Sequence, residues 1–177
     1  MRSVSPVLSL AELGLSASDL DRLMDRAFGP GRFAKAASGL RDGARLAPQL
    51  SHVAWSDADR AAIGACLIWD VASSDGGPAL LLGPIAVDPD LQGGGLGRAL
   101  CAACVAAVDA ADAGTVVLVG DPGFFAPFGF VPVPAGAVRF DWPADPARTL
   151  WRPGSGMLPA GRLLWISQGR SGAATVK

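Results

Sequence analysis

The stretch from Ala79 to Ala113 reads ALLLGPIAVDPDLQGGGLGRALCAACVAAVDAADA, and the prediction of the fold starts from it. It opens with an apolar run through Val87, a pattern typical of a buried strand. Asp88–Asp90 contains a proline that ends the strand, because proline lacks a donor and disfavours helix in the residue before it. From Leu96 to Val108, apolar residues recur every four positions among alanines, which predicts a helix. The predicted order is strand, glycine loop, helix.

The glycine loop Gln92–Gly97 is expected to bind an anion. The first N–H groups of a helix lack internal partners and carry partial positive charge, and glycines remove the Cβ atoms that would keep an anion away. Such a site binds phosphate or pyrophosphate, each exposed dipole contact contributing about 0.3–1 kcal/mol. Arg98 opposes the helix dipole, a placement that makes sense beside a bound anion. The alternative is a flexible turn, but a turn needs one or two glycines rather than four in six residues.

Gln92-x-x-Gly95-x-Gly97, following the Val-Asp-Pro that starts at Val87, resembles the pyrophosphate loop of the GNAT (Gcn5-related) N-acetyltransferases, Q/R-x-x-G-x-G/A entering a helix. It does not match a dinucleotide-binding G-x-G-x-x-G, since Arg98 stands where the last glycine belongs. Nor does it match a Walker loop, because the chain contains no Gly-Lys dipeptide.

A second resemblance follows the apolar segment Val116–Val119, which is expected to be a buried strand parallel to the one before because a helix connects them. Gly129-Phe130 is similar to the Gly-Phe pair that ends a short helix after the same strand in GNAT proteins, and this version looks like the YhbS-like branch. The resemblance is clear over Ser51–Phe130, thinner toward the N-terminus and weakest after Pro134.

The resemblance implies a mixed α/β GNAT fold, with a central, mostly antiparallel twisted sheet, one parallel splayed pair of strands and flanking helices. Acetyl-CoA is the implied co-substrate: pantetheine enters the splay, and the loop amides hold the pyrophosphate. The N–H near Val87 would polarise the thioester carbonyl, and an amine would attack directly. The implied cofactor-binding residues are Ile85, Ala86, Val87, Gln92, Gly93, Gly94, Gly95, Leu96, Gly97, Arg98 and Phe125.

Phe125 stands where the family commonly has a tyrosine that protonates the departing thiolate, and the chain contains no tyrosine. General acid help is typically worth about 10²–10⁴-fold, so the sequence predicts a slow enzyme unless another acid substitutes. The alternative is a non-catalytic acyl-CoA-binding or sensing module; a structural domain without a ligand is a third possibility. Phe124, Phe125 and Phe128 either pack in the core or line the pantetheine channel.

Two polar side chains are candidates for proton transfer. Asp121 lies just beyond the predicted strand end, where ligands of open α/β sheets collect, and is the candidate catalytic residue; the ordinary interpretation is an Asx-type turn before Pro122. His52, the only histidine, is a candidate base or a satisfied side chain on a strand.

The cysteines and tryptophans of this chain are expected mainly to pack in the core. Cys101 and Cys104 form a C-x-x-C inside the predicted helix rather than at its N-terminus, where a redox thiolate would be stabilised, and no second ligand pair suggests zinc. Five tryptophans either line the acceptor cleft or are buried; Trp151 and Trp165 are also candidates for a homodimer contact.

Flanking elements follow from local patterns. A weak first strand or irregular lead-in is expected within Met1–Leu10. The next helix is expected to begin with Ser18 as N-cap and to end at Gly29-Pro30, and a short helix is expected over Arg32–Leu40. The further predictions are strands at Ser51–Ser56, Ala62–Val71, Val138–Trp142 and Leu163–Ser167, a loop over Ser73–Pro78, and Gly114 as the cap that ends the long helix.

The bulk composition suits one domain over residues 1–170, with a disordered tail over 171–177. The chain has 177 residues, a net charge of −1 and three cysteines. This balance gives no reason to expect nucleic acid, and the odd cysteine count argues against a disulfide framework. No apolar run reaches the ~18 residues of a membrane helix, and no signal peptide is evident. We therefore expect a cytoplasmic protein that uses no metal or membrane, whose acceptor is a small-molecule or peptide amine.

Overall fold

The computed structural model describes residues 7–29, 45–58, 61–74, 77–140, 144–154, 156–159 and 161–165. In these residues the strands are β1 (Leu8–Ser9), β2 (His52–Ser56), β3 (Ala61–Ser73), β4 (Gly77–Val87), β5 (Val116–Val119), β6 (Val131–Pro132), β7 (Val138–Arg139), β8 (Thr149–Arg152) and β9 (Gly161–Trp165). The α-helices are α1 (Leu10–Leu13), α2 (Ala17–Phe28), α3 (Leu96–Ala110) and α4 (Pro122–Phe125).

The strands form one mixed sheet in the order β1-β2-β3-β4-β5-β8-β6, while β9 pairs with β3 and β7. The β4–β5 pair is parallel, as is the short β7–β9 pair, and the other pairs are antiparallel. The helix α3 connects β4 to β5. The expected mixed α/β fold, mostly antiparallel with a central parallel pair and flanking helices, is confirmed.

Each face of the sheet carries its own apolar core, called the α3-face core or the α2-face core after the helix that packs there. On one face, α3 packs through Leu100, Cys104 and Val108, all buried, against alternate residues of the central strands. On the other face, α2 contributes Leu23 and Met24. Burial of both faces explains why the central strands read as continuous apolar runs rather than as alternating ones.

The helix α2 begins two residues earlier than expected. Ser16, not Ser18, is the N-cap, and its hydroxyl and the Asp19 carboxylate form a reciprocal capping box. With Ser16 as cap, the flanking positions of a hydrophobic staple fall on Leu15 and Leu20, which both pack against the α2-face core. Capping by Ser18 would place a charged arginine at the second of those positions.

The helix α3 ends before the predicted cap at Gly114. Ala113 N–H donates to the Val108 carbonyl and Asp112 N–H to that of Asp109, the paired bonds of a Schellman motif. Asp112 takes the left-handed conformation at φ 47° in place of a glycine, which short polar side chains tolerate. Gly114 also has positive φ, but lies in the link to β5.

Other boundaries differ modestly from the predictions. The loop expected over Ser73–Pro78 is shorter, because Ser73 already pairs with Gly77 and β4 includes Pro78. The predicted lead-in contains the two-residue β1, and α1 and β8 were not expected. The predicted strand Val138–Trp142 is β7, with Trp142 outside the described residues, as are the predicted helix at 32–40, residues 166–167 of the last strand and the tail.

Arg152 on β8 fastens the C-terminal part of the sheet to α3. Its guanidinium makes two hydrogen bonds to the Asp109 carboxylate, at 2.6 and 2.8 Å, and its Nε donates to the Phe128 carbonyl at 2.9 Å. Bidentate pairs of this kind fix geometry as well as adding energy. The end of α3, the turn after α4 and β8 are therefore held together by one side chain.

Candidate cofactor site at the open edge of a strand

The strand β4 separates from β5 halfway along its length. The two strands pair only at Leu80↔Val116 and Leu81↔Val117, although β4 continues to Val87. On its other edge, β4 is paired with β3 from Gly77 to Val87, except at Gly83-Pro84. One edge of the second half of β4 therefore faces away from β3 without β5 as a ladder partner, as expected for a splayed pair.

A β-bulge lies at the point of separation. Cys66 pairs with Ile85 and Ile68 with Leu82, so two steps along β3 correspond to three along β4. The extra residue falls at Gly83-Pro84, whose peptide bond is cis, with Gly83 at φ 134°. Bulges bend a strand and increase its twist, which accounts for the divergence from β5.

The indole of Trp69 on β3 reaches this bulge. Its Nε1–H donates to the Gly83 carbonyl at 2.7 Å, and the residue is buried. The sequence carries no sign of this role, since a tryptophan in an apolar strand ordinarily indicates packing alone.

The second half of β4, Gly83–Val87, is called here the open half, and the space between it and β5 is called the gap. The backbone of the open half directs hydrogen-bonding groups into this gap. Asp88 N–H donates to the Ile63 carbonyl of β3 at 2.9 Å. Since successive residues of a strand point their N–H groups to opposite edges, those of Val87 and Ile85 point away from β3. Ala86 N–H then points toward β3. Two of the three β4 residues expected to bind the cofactor thus offer N–H groups on the open edge.

The N-terminus of α3 is held beside that edge by close packing. A Cβ on Gly64 of β3 would lie 2.8 Å from Leu100 Cδ1 and 3.1 Å from Leu96 Cδ2, so the helix approaches β3 where no side chain intervenes. A Cβ on Gly97 would lie 3.6 Å from Val87 Cγ2 and 3.8 Å from a methyl of Ile85. The first turn of α3 therefore sits directly over the open half of β4.

The glycine loop takes conformations that require glycine. Gly93 and Gly95 have φ 81° and 85°, in the left-handed region, and Gly95 is the N-cap of α3 without a side-chain cap. The first helical hydrogen bond runs from Ala99 N–H to the Gly95 carbonyl. The amides that precede Ala99 are the donors that a helix cannot satisfy internally, so this loop is built to present them.

Gln92 and Arg98 contact protein groups near the loop. The Gln92 side-chain amide donates to the Val87 carbonyl at 3.2 Å and so ties the loop to the end of β4. The Arg98 guanidinium lies over the Phe124 ring, 5.1 Å from its centroid, a cation–π arrangement. Arg98 itself is exposed, which leaves its charge beside the start of α3.

Of the neighbouring phenylalanines, Phe124 rather than Phe125 lies next to the loop. Its ring is 4.0 Å from a Cβ built on Gly97. Phe125 is buried in the α3-face core, edge-to-face with Phe124 at 4.8 Å and with Phe130 at 5.6 Å. Gly120 allows this packing, because a Cβ there would collide with the Phe125 ring. Phe125 thus has the geometry of a core residue.

Asp121 is exposed and forms the N-cap of α4. Its carboxylate accepts from Gly123 N–H at 3.2 Å, the Asx-type turn that the sequence allowed as the ordinary interpretation. It directly follows Gly120 at the end of β5, on the side where the two parallel strands have separated.

His52 lies in a different part of the sheet. It pairs with Cys66, which pairs with Ile85, so it is two strands, roughly 10 Å, from the open edge. As a thiol, Cys104 donates to the Cys66 carbonyl at 3.3 Å. Hydrogen bonding to Cys104 raises the pKa of His52, while hydrogen bonds from the Cys66 thiol and from His52 to the thiolate lower the pKa of Cys104.

The C-x-x-C cysteines are core residues. Cys101 and Cys104 are both completely buried, and burial raises the pKa of the Cys101 thiol to about 12. In the part of the chain that the structure describes, no group of three or more His, Cys, Asp or Glu side chains is arranged to hold a metal ion. Within the same residues, no helix has the length and apolarity needed to span a membrane.

An open cavity of about 310 Å³ lies beside the end of β5, on the far side from β4. Thr149 in its wall pairs with Val119, the last residue of β5. Among the described residues, the wall is mostly apolar and includes the cation Arg139. The lining residues are Val133, Pro134, Ala135, Gly136, Val138, Arg139, Phe140, Ala144, Pro146 and Thr149.

Comparison with known proteins supports this geometry. The sequence profile of the acetyltransferase (GNAT) family matches residues 18–130, more than half of the chain. No protein of curated function matches significantly.

Three solved structures share the fold. A GNAT family N-acetyltransferase, YhbS, from Escherichia coli in complex with CoA is 23% identical, with a TM-score of 0.66 over 85% of this chain and 84% of that one. A GNAT family acetyltransferase from Brucella melitensis in complex with acetyl-CoA is 21% identical, with a TM-score of 0.64 over 94% and 97%. The ribosomal-protein-S18-alanine N-acetyltransferase from Escherichia coli is 19% identical, with a TM-score of 0.52 over 96% and 99%. With its splayed strands, its glycine loop and the match over residues 18–130, the chain belongs to the GNAT acetyltransferase family.

Proposed function

We propose that this protein transfers an acetyl group from acetyl-CoA to a primary amine by direct attack of the amine on the thioester. The observation that carries the proposal is the juxtaposition of two sets of backbone donors. Ile85 and Val87 direct N–H groups into the gap beside β4, and the uncapped first turn of α3 lies over the same half-strand. One set suits an amide-bearing chain and the other a diphosphate.

Each part of acetyl-CoA has a matching part of the site. Pantetheine adds to the open edge of β4 as an extra strand would, and the amides of Gly93–Arg98 hold the pyrophosphate. The N–H of Val87 donates to the thioester oxygen and stabilises the negative charge that develops there. Arg98 contributes its charge next to the diphosphate. The buried Phe125 supports Phe124 from behind rather than contacting the ligand.

The reaction needs no protein nucleophile. The neutral amine attacks the thioester carbon, a C–N bond forms, the C–S bond breaks and the sulfur leaves as thiolate. With a reference pKa of about 8.5, a thiol is a fair leaving group, so water can protonate it where Phe125 cannot. Most of the acceleration comes from holding the two reactants in contact.

The proton lost by the amine needs an acceptor, and we propose Asp121 for it. Its position directly after β5 is at the open end of the gap. Asp121→Asn keeps an oxygen that can accept from Gly123 N–H but removes the basic carboxylate. We expect a lower kcat with an unchanged KM for acetyl-CoA. An unchanged kcat would show that Asp121 caps α4 and takes no part in proton transfer.

The cavity lined by Val138, Phe140 and Thr149 is our proposed acceptor site. It adjoins β5 from the side opposite β4, so an amine seated there approaches the gap without crossing the cofactor. Its largely apolar wall favours an acceptor with an apolar body, and Arg139 favours one that also carries an acidic group.

A thiol-release assay with acetyl-CoA and a panel of amines tests the proposal. Turnover with at least one amine, and a higher melting temperature with acetyl-CoA than without, are the expected results. Tight CoA binding with no thiol release from any amine would instead favour the second candidate function, a non-catalytic acyl-CoA-binding module. The buried Phe125 in a chain without tyrosine is the observation that favours it.

Membership of the YhbS-like branch is the finer assignment that we propose within the family. The Gly129-Phe130 pair ends the turn after α4, with Gly129 in the left-handed conformation. YhbS is also among the structures that share the fold. The assignment predicts that the acceptor preferences of the two proteins overlap when both are assayed against the same amine panel.

A further inference from the structure

We propose that Trp69 is a positioning residue for the cofactor, because its indole N–H holds the β4 bulge in the shape that keeps the gap open. The inference rests on the proposed function, since it concerns where acetyl-CoA enters. It starts from the 2.7 Å hydrogen bond between Trp69 Nε1 and the Gly83 carbonyl.

The Gly83 carbonyl sits where the sheet offers it the fewest partners. The bulge interrupts the regular register with β3 between Leu82 and Ile85, and the β4–β5 pairing has already ended at Leu81. A carbonyl that is partly buried and unpaired is costly, so a bulge at this position needs a donor from a side chain. Trp69 supplies that donor.

Trp69 is itself firmly placed. Its ring lies in the α2-face core together with Leu81, its direct partner on β4. On the outer edge of β3, Asp70 N–H donates to the Arg45 carbonyl and Ala47 N–H donates to that of Ile68, both at 2.9 Å. An indole that is packed in the core, on a strand hydrogen-bonded along both edges, is a rigid support for the carbonyl that it holds.

The position of the bulge decides how β4 faces the cofactor. Only residues beyond it, Ile85 and Val87 among them, direct N–H groups into the gap. If the bulge were lost and the register before it continued, the residues beyond it would slip by one position against β3, and these N–H groups and the side chains beside them would exchange edges and faces. The Trp69–Gly83 bond therefore acts on acetyl-CoA through the backbone of β4, without touching it.

The test compares Trp69→Phe with Trp55→Phe. Trp55 lies on β2 and packs against the same core, so the control loses the same indole N–H far from the bulge. We expect Trp69→Phe to raise the Kd and KM for acetyl-CoA about tenfold, the effect of one lost hydrogen bond, while kcat changes less. The Gly83 carbonyl ¹³C resonance should move upfield in the free protein. Trp55→Phe should leave the Kd and that resonance unchanged.

Three outcomes separate this inference from the proposed function. Equal acetyl-CoA affinities for the wild type and both variants would overturn the inference and leave the function intact. Failure of the wild-type protein to bind acetyl-CoA would overturn the function itself. Equal losses of affinity in both variants would indicate general core damage and also overturn the inference. If Trp69→Phe does not fold, 3-benzothienylalanine at position 69, which keeps the bicyclic shape but lacks the N–H, should show the same tenfold loss.

Discussion

The two halves of β4 belong to one strand but have different neighbours. From Ala79 to Leu82 the strand is buried and has β3 on one edge and β5 on the other over part of that length. From Gly83 to Val87 it keeps β3 but has left β5, and four of its five residues are only partly buried. A single inserted residue at Gly83-Pro84 separates these environments.

The difference shows how this fold leaves one strand edge open without exposing a whole sheet. Sheet edges are normally a hazard, since unpaired N–H and C=O groups recruit other strands. Here the open edge is five residues long, from Gly83 to Val87. It lies inside the sheet, and the first turn of α3 packs over it. Changes in the paired half should therefore affect stability, and changes around the open half should affect ligand binding.

The largest expected effect tests the paired half. Leu80→Ala removes a buried side chain that packs in the α3-face core, and should lower the free energy of unfolding by about 2–5 kcal/mol. Urea unfolding measures the loss. Ile85→Ala, in the open half, is the matched comparison: it should cost less stability but weaken acetyl-CoA binding. The reverse ranking would contradict the division between the halves.

A smaller loss of stability is expected from a substitution at Asp88, directly after the open half of β4. The buried Asp88 carboxylate pairs with Arg26 of α2 at 3.2 Å, and Arg26 also donates to the Ala62 carbonyl at 2.8 Å. Asp88→Asn keeps an acceptor for Asp90 N–H but loses the charge, and should cost about 1–2 kcal/mol of stability. Thermal unfolding of Asp88→Asn, Arg26→Gln and the double variant measures it; additive losses would show that the Asp88–Arg26 pair contributes nothing specific.

The glycine loop should separate stability from binding. Gly97→Ala places its Cβ at ordinary contact distances and adds helix propensity, so stability should rise by up to about 1 kcal/mol while acetyl-CoA binding weakens. Gly95→Ala, at φ 85°, should instead lose about 1–2 kcal/mol. Calorimetric titration and thermal unfolding of both variants measure the pair. Undiminished affinity in Gly97→Ala would place the diphosphate elsewhere.

The smallest effect lies far from the gap and serves as a baseline. Hydrogen bonding to Ser16 lowers the pKa of the Asp19 carboxyl, so its contribution to stability is present above its unfolded-state pKa and lost as the pH falls through the lower folded value. Asp19→Asn should therefore lower the melting temperature slightly at pH 7, and the difference should shrink toward pH 3. Binding of acetyl-CoA should not change, whereas a clear change would link α2 to the cofactor site.

The sequence predicted the parts of the site that depend on local backbone chemistry. The glycine loop, the strand before it and the helix after it follow from residue types at short range, and Gly93 and Gly95 take the conformations that only glycine adopts easily. The parallel pairing of β4 with β5 followed from the helix between them. The capping box of α2 was misplaced by two residues because Ser16 and Ser18 each precede an aspartate by three positions.

Features that depend on side-chain packing or on pairing with distant segments were not predictable in this way. The bond from Trp69 to Gly83 spans two strands, and the collision that makes Gly120 necessary involves a ring five residues later. The strand β8 was hidden because Thr149–Arg152 lies in a Pro- and Gly-rich region and gains its order by pairing with β5. Phe124 and Phe125 look alike in sequence, and only the packing shows which of them faces the loop.

The hydrogen bonds from Arg152 to Asp109 and to the Phe128 carbonyl have a practical consequence for engineering. It locks the far end of α3 to β8 by contacts that lie outside both the gap and the proposed acceptor cavity. The described residues between β6 and β8 thus follow and precede strands that Arg152 holds in place. Chimeras that exchange residues 133–148 while retaining Arg152, and Val138 and Phe140 for their contacts with the α2-face core, should keep acetyl-CoA binding and change the choice of amine.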